Sequence, residues 1–274
     1  MGLSVTFING PRRSGKSTLI QIMLDELYKK PPHYLRLAAL DGDKHPPRGN
    51  GKPKNQCGVR SAHWLNYDQD LIYEVLPQAL TDIHKADRYG TVLIEADADP
   101  HLRNVYPYDR RVFVMPAPDS LHQVFRTAKQ AAHALRDVLD DTTTFAREIY
   151  GMLDAPDDGH DSDSEHEARA AFTVSQMRGF LKSPLGEELA TRIQFQPDYH
   201  GLVESDAVLI NTGVGGMSPV IDNCVARLEK ILARLRGPSA RKNVIFCCDL
   251  ADPKDPLRKK LLKQLKELLR NKPA

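Results

Sequence analysis

A chain of 274 residues with 41% apolar content can bury a large core, and it reads as one domain over residues 1–274 with insertions. Its net charge of +2 comes from nearly balanced acids and bases, so no global field points to nucleic acid or an anionic membrane. Cys57, Cys224, Cys247 and Cys248 show no C-x-x-C spacing, the first residues lack the order of a signal peptide and no run reaches bilayer-spanning length, so a reducing, cytoplasmic setting is expected.

The first apolar run, Leu3–Ile8, predicts a short buried strand, and Leu19–Leu27 predicts a helix with an apolar stripe. Between them, Gly10-Pro11-Arg12-Arg13-Ser14-Gly15-Lys16-Ser17-Thr18 spells G-x-x-x-x-G-K-[ST], in the strand–loop–helix setting that such a phosphate-binding loop requires. Gly10 and Gly15 permit the tight turn that brings main-chain N–H groups toward an oxygen-rich ligand at a helix N-terminus. Lys16 is expected to neutralise β- and γ-phosphate charge, Ser17 to place its hydroxyl on Mg²⁺, and Thr18 to donate to the α-phosphate. Ser14 contributes to the cradle, and Arg12 and Arg13 either lie along the phosphates or face water.

Further strands are predicted at Leu35–Leu40, Thr91–Ile94, Arg111–Met115, Ala207–Ile210 and Val244–Cys247, with helical segments between them. That alternation implies an α/β fold, a mostly parallel sheet with helices on both faces, and ligands at the carboxyl ends of the strands. Asp41 and Asp43 follow the second strand and lead into a loop from Lys44 to Gln56. The two aspartates either cap that turn or hold a water, and Asp43 is assigned the attacking one. Glu95 and Asp97 follow the third predicted strand and are the candidate carboxylates for fixing Mg²⁺ beside the phosphates. A long helix is expected from Asp119 as N-cap, broken near 140–144.

Residues 154–167 are acidic and aperiodic, which predicts a disordered surface insertion; its His160 and His166 offer an alternative, loosely held metal site. Asn211 ends a strand, where its amide can read a purine edge or form a turn ahead of Gly213. The segment 255–271 reads as an amphipathic C-terminal helix, with Leu257, Leu261, Leu265, Leu268 and Leu269 on one stripe and a basic, solvated face opposite.

Taken in order, these motifs resemble the SIMIBI class of P-loop NTPases, and within it the GTPases related to CobW proteins and to urease and hydrogenase nickel-insertion factors. The likeness rests on the phosphate loop, Val92–Pro100, Arg111–Met115 and the "A-D-x-x-x-x-N" lead at Ser205–Asn211. It implies a dimer-prone nucleotide switch acting on a partner protein or a metal. Two family signatures differ here: the guanine motif reads Asn211-Thr212-Gly213-Val214, and no Cys-x-Cys-Cys stands near Cys57. ATP and GTP both stay open as ligands.

The leading expectation is Mg²⁺-dependent binding and hydrolysis of ATP or GTP, with Lys16, Asp43 and Asp97 catalytic and Ser17, Glu95 and Asp97 at the metal. A second reading is a small-molecule kinase, with Asp41, Asp97 or Arg103 positioning the acceptor and Arg103, Arg110, Arg111 and Arg126 forming a lid over the phosphates. A third is a nucleotide-binding adaptor with little turnover.

Overall fold

The computed structural model describes residues 2–39, 59–67, 72–97, 109–138, 182, 184–236 and 244–270. Seven strands form one sheet: β1 (Ser4–Asn9), β2 (His33–Ala39), β3 (Ser61–Tyr67), β4 (Thr91–Ala96), β5 (Arg110–Pro116), β6 (Ala207–Asn211) and β7 (Val244–Cys248). Their order is β3-β2-β4-β1-β5-β6-β7, and every pairing is parallel. The expected α/β class, a parallel sheet with helices on both faces, is what the structure shows.

Helices α1 (Lys16–Glu26), α2 (Ile72–Ala86), α3 (128–138), α4 (Pro184–Arg192), α5 (Pro219–Arg236) and α6 (Pro256–Arg270) accompany the sheet. The central strands are buried on both faces, which explains their unbroken apolar runs. Ile8, Leu93, Val112 and Leu209 face α1 and α6, where Leu19, Met23, Leu261 and Leu265 complete one core layer. Their neighbours in sequence point the other way. Phe7, Val92 and Ile94 meet α2, and Phe113, Val208 and Ile210 meet α5, as the two-residue period of a strand requires.

Two expectations need correction. β3 was not among the predicted strands, because this edge strand carries an exposed His63 between half-buried Ala62 and Leu65, so no continuous apolar run marks it. The long helix expected from Asp119 is instead a 3₁₀ turn, Leu121–Gln123, flanked by Ser120, followed by α3. Thr127 and Gln130 start α3 with a reciprocal capping box: the Gln130 N–H donates to Thr127 Oγ1 at 3.2 Å and the Thr127 N–H donates to Gln130 Oε1 at 2.9 Å. The segments 40–58 and 139–181, which hold Asp41, Asp43 and the acidic run 154–167, lie outside the described residues.

At the start of β5, two arginines read above as lid residues are structural clamps. Arg111 is 1% exposed, ion-paired with Glu204 and stacked 5.2 Å from the centre of the Phe7 ring. Arg110 donates from Nε to the Leu268 carbonyl at 3.0 Å. Both sit at the amino ends of the strands, opposite the phosphate loop, where they tie β5 to the segment Pro197–Glu204 and to α6. Arg126 donates from Nη1 to the Ile193 carbonyl at 3.4 Å, and Arg103 lies outside the described residues.

Candidate functional site

β1 is the central strand, and the residues that leave it form the loop 10–15 before α1 begins. Gly10 has φ 148°, Arg13 φ 61° and Gly15 φ 102°. Such left-handed positions inside a tight turn let successive amides face one point, and the first turn of α1 adds N–H groups with no partner within the helix. Both glycines are also required by space. A Cβ on Gly10 would stand 1.8 Å from the Val114 carbonyl oxygen of β5, and one on Gly15 would stand 2.6 Å from Asn211 Nδ2.

Lys16 is 5% exposed, and its three ammonium hydrogens have three acceptors. Nζ donates to the carbonyls of Gly10 at 3.0 Å and Pro11 at 2.7 Å, and it pairs with Asp97 Oδ1 at 2.9 Å. The other Asp97 oxygen lies 3.3 Å from Arg12 Nε. Asp97 thus spans the loop mouth between two cations, while its own side chain remains 43% exposed. Ser17 and Thr18 are exposed in the first turn of α1 and Arg12 and Arg13 in the loop before it, whereas Ser14 is buried.

The β1–β4 pairing sets Ile8 beside Glu95, which brings the second carboxylate to the loop. Glu95 is 3% exposed. Its Oε1 accepts the Ser17 hydroxyl at 2.6 Å, and its Oε2 accepts the hydroxyl of Tyr34 on β2. Burial, and after it the Glu95 charge, pushes the Tyr34 phenol well above its ordinary pKa, so this hydroxyl is a donor throughout the neutral range. Sequence reasoning missed Tyr34, which precedes the predicted strand Leu35–Leu40 and belongs to no motif, whereas the strand begins at His33. Ser17 and Glu95 form an oxygen-only donor pair containing a buried carboxylate, and this chemistry fits Mg²⁺.

Asn211 ends β6 and supports the loop from behind. Its Nδ2 donates to the Ser14 carbonyl at 3.2 Å, and its Oδ1 accepts the Leu250 N–H at 3.3 Å. One amide hydrogen and one lone pair are left over from the inventory of that side chain. Beyond it, Val214 is fully exposed at 100% on the turn Gly213–Gly215. Of the sequence-derived site residues, the structure therefore gathers Gly10, Arg12, Ser14, Gly15, Lys16, Ser17, Glu95, Asp97 and Asn211 at one sheet edge, with Arg13 and Thr18 in the same loop and helix start. Asp43 is outside the described residues.

Elsewhere, a groove of about 900 Å³ lies between β3 and α2, at the amino ends of the strands. There His33 accepts from or donates to Ser61 Oγ at 2.7 Å and stands 3.5 Å from Asp87. Glu74 and Asp82 on its rim oppose a polyphosphate, whereas the loop of β1 offers amides and an ammonium. The three cysteines among the described residues are free thiols. Burial raises Cys224 to about 12 and Cys247 to about 11, so they are neutral packing groups. No group of three or more His, Cys, Asp or Glu side chains suited to a metal ion occurs among the described residues. No described helix is long and apolar enough to cross a membrane.

No family model matches the chain, and no curated protein matches it. Among solved structures it is similar to HypB from Helicobacter pylori in complex with nickel, at 15% identity and a TM-score of 0.47, covering 98% of this chain and 88% of that one. It is also similar to the hydrogenase maturation factor HypB from Archaeoglobus fulgidus, at 13% identity and a TM-score of 0.44, covering 98% of this chain and 91% of that one.

Proposed function

We propose that this chain binds ATP or GTP with Mg²⁺ and hydrolyses it, acting as a nucleotide-controlled switch on a partner protein. The observation that carries the reading is the convergence of Lys16, Ser17, Glu95 and Asp97 on the loop between β1 and α1. Each of these groups has a chemical task there. The amides of residues 12–18 solvate the phosphate oxygens, and Lys16 exchanges its Asp97 partner for the β- and γ-oxygens. Ser17 and Glu95 would hold Mg²⁺, which supplies charge neutralisation between those oxygens. Asp97, released from Lys16, would be free to orient water beside the phosphates, the role the sequence also assigns to Asp43.

Base recognition falls to Asn211, whose spare amide hydrogen suits N7, an acceptor that adenine and guanine share. A switch also needs an element that responds to the γ-phosphate, and residues 44–56, which lie outside the described residues, are the segment we assign to that role. The kinase alternative gains no support from the lid arginines, since Arg110 and Arg111 are engaged at the opposite edge.

The test is a calorimetric panel of ATP, GTP, ADP and GDP with and without Mg²⁺, followed by phosphate release. The wild-type chain is expected to bind at least one triphosphate and to release phosphate without an added acceptor. Lys16→Ala is expected to abolish triphosphate binding while keeping the wild-type circular dichroism spectrum. Unchanged affinity in that variant would refute the assignment of Lys16.

A further inference from the structure

We infer that Tyr34 is a positioning residue for the metal, its hydroxyl holding the Glu95 carboxylate in the orientation that serves Mg²⁺ beside Ser17. The inference rests on the proposed nucleotide site and goes beyond it, because no phosphate-loop or strand-end motif contains Tyr34.

Its basis is geometric. Tyr34 lies on β2, the strand on the far side of β4 from β1, in register with Leu93. Leu93 and Glu95 alternate to the same face of β4, the face covered by α1, so the Tyr34 ring packs in that layer and its hydroxyl reaches the carboxylate two residues along. Tyr34 is 7% exposed, which leaves its hydroxyl few alternatives to Glu95. A carboxylate can rotate about its terminal torsion. With Ser17 on Oε1 and Tyr34 on Oε2, both oxygens are engaged from different elements and that rotation is restrained. Groups that orient a metal-binding carboxylate in this way commonly change metal affinity about 10- to 100-fold when removed.

Tyr34→Phe tests this, since it deletes one hydroxyl and keeps the ring in its packing layer. Mg²⁺ is titrated into the full chain at fixed concentrations of fluorescent ATP and GTP analogues, and each analogue is also titrated in EDTA. The expected result is a half-saturating Mg²⁺ concentration raised about 10-fold or more, with Mg²⁺-free nucleotide affinity unchanged and the wild-type circular dichroism spectrum kept. Superimposable Mg²⁺ curves for the two proteins would overturn the inference and leave the nucleotide reading standing. An equal loss of affinity with and without Mg²⁺ would also overturn it, by showing that Tyr34 acts only on the loop's shape. If the wild-type chain binds neither analogue, the nucleotide reading fails and this inference with it.

Discussion

Lys16 and Glu95 show how buried charge is tolerated at this site. An ammonium that is 5% exposed would be costly without partners, and here three acceptors satisfy it. Two of these are carbonyls of the loop itself, so the loop shapes itself around the residue that defines it. Asn211 is argued at the same scale. Its two side-chain bonds tie Ser14 to Leu250, which makes it a strut as well as the proposed base reader, and Asn211→Ala separates the two tasks. ATP and GTP affinities are expected to fall more than those of CTP and UTP, by about 1–3 kcal/mol against the smaller general loss. Equal losses for all four in a competition assay would show a strut alone. The spacing Gly10–Thr18 was legible because the motif is contiguous, and Glu95 because a strand end announces itself. Tyr34 was not, since its partner is 61 positions away and only the β2–β4–β1 neighbourhood joins them.

At the scale of elements, α6 shows which forces dock a helix. Leu261 and Leu265 are fully buried against the sheet face, while Lys259, Lys260 and Lys263 stand exposed as the basic stripe predicted. Asp255 ties the helix start to the end of β7: Oδ1 accepts the Leu257 N–H at 2.8 Å and Oδ2 accepts the Asp249 N–H at 2.8 Å. Across to α1, Arg258 pairs with a 46% exposed Glu26 at 2.8 Å. Burial outweighs such a pair. Leu265→Ala is expected to lower unfolding free energy by about 2–5 kcal/mol, and Arg258→Ala by about 1 kcal/mol or less, both read by urea denaturation. A larger loss for Arg258→Ala would reverse this ranking. The stripe of α6 was readable because its period is helical and one-sided, except that Leu257 in the first turn is 42% exposed and Leu262 is buried in its stead. The helix expected from Asp119 was misread because the signal that starts α3, the Thr127–Gln130 capping box, lies eight residues further on. The arginines of β5 were misread for a related reason: charge in an apolar run suggests a ligand, whereas Glu204 and the Leu268 carbonyl, which use it, are distant in sequence.

For the whole molecule, strand order decides which chemistry meets. Placing β1 between β4 and β5 delivers the phosphate loop, the Glu95–Asp97 end and, one strand further, Asn211 to a single edge. The opposite edge carries the Arg110 and Arg111 clamps and the groove beside α2. Parallel pairing and alternation of strands with helices were legible from the sequence; the order of the strands was not, because it follows from how the faces pack. The most direct test of the account is a crystal structure of the chain with a non-hydrolysable triphosphate and Mg²⁺. The account predicts the phosphates on the amides of residues 12–18, with Lys16 Nζ turned from Asp97 to the β- and γ-oxygens and the metal between Ser17 and Glu95. A triphosphate bound in the groove between β3 and α2, or a loop left empty at saturating nucleotide, would contradict it.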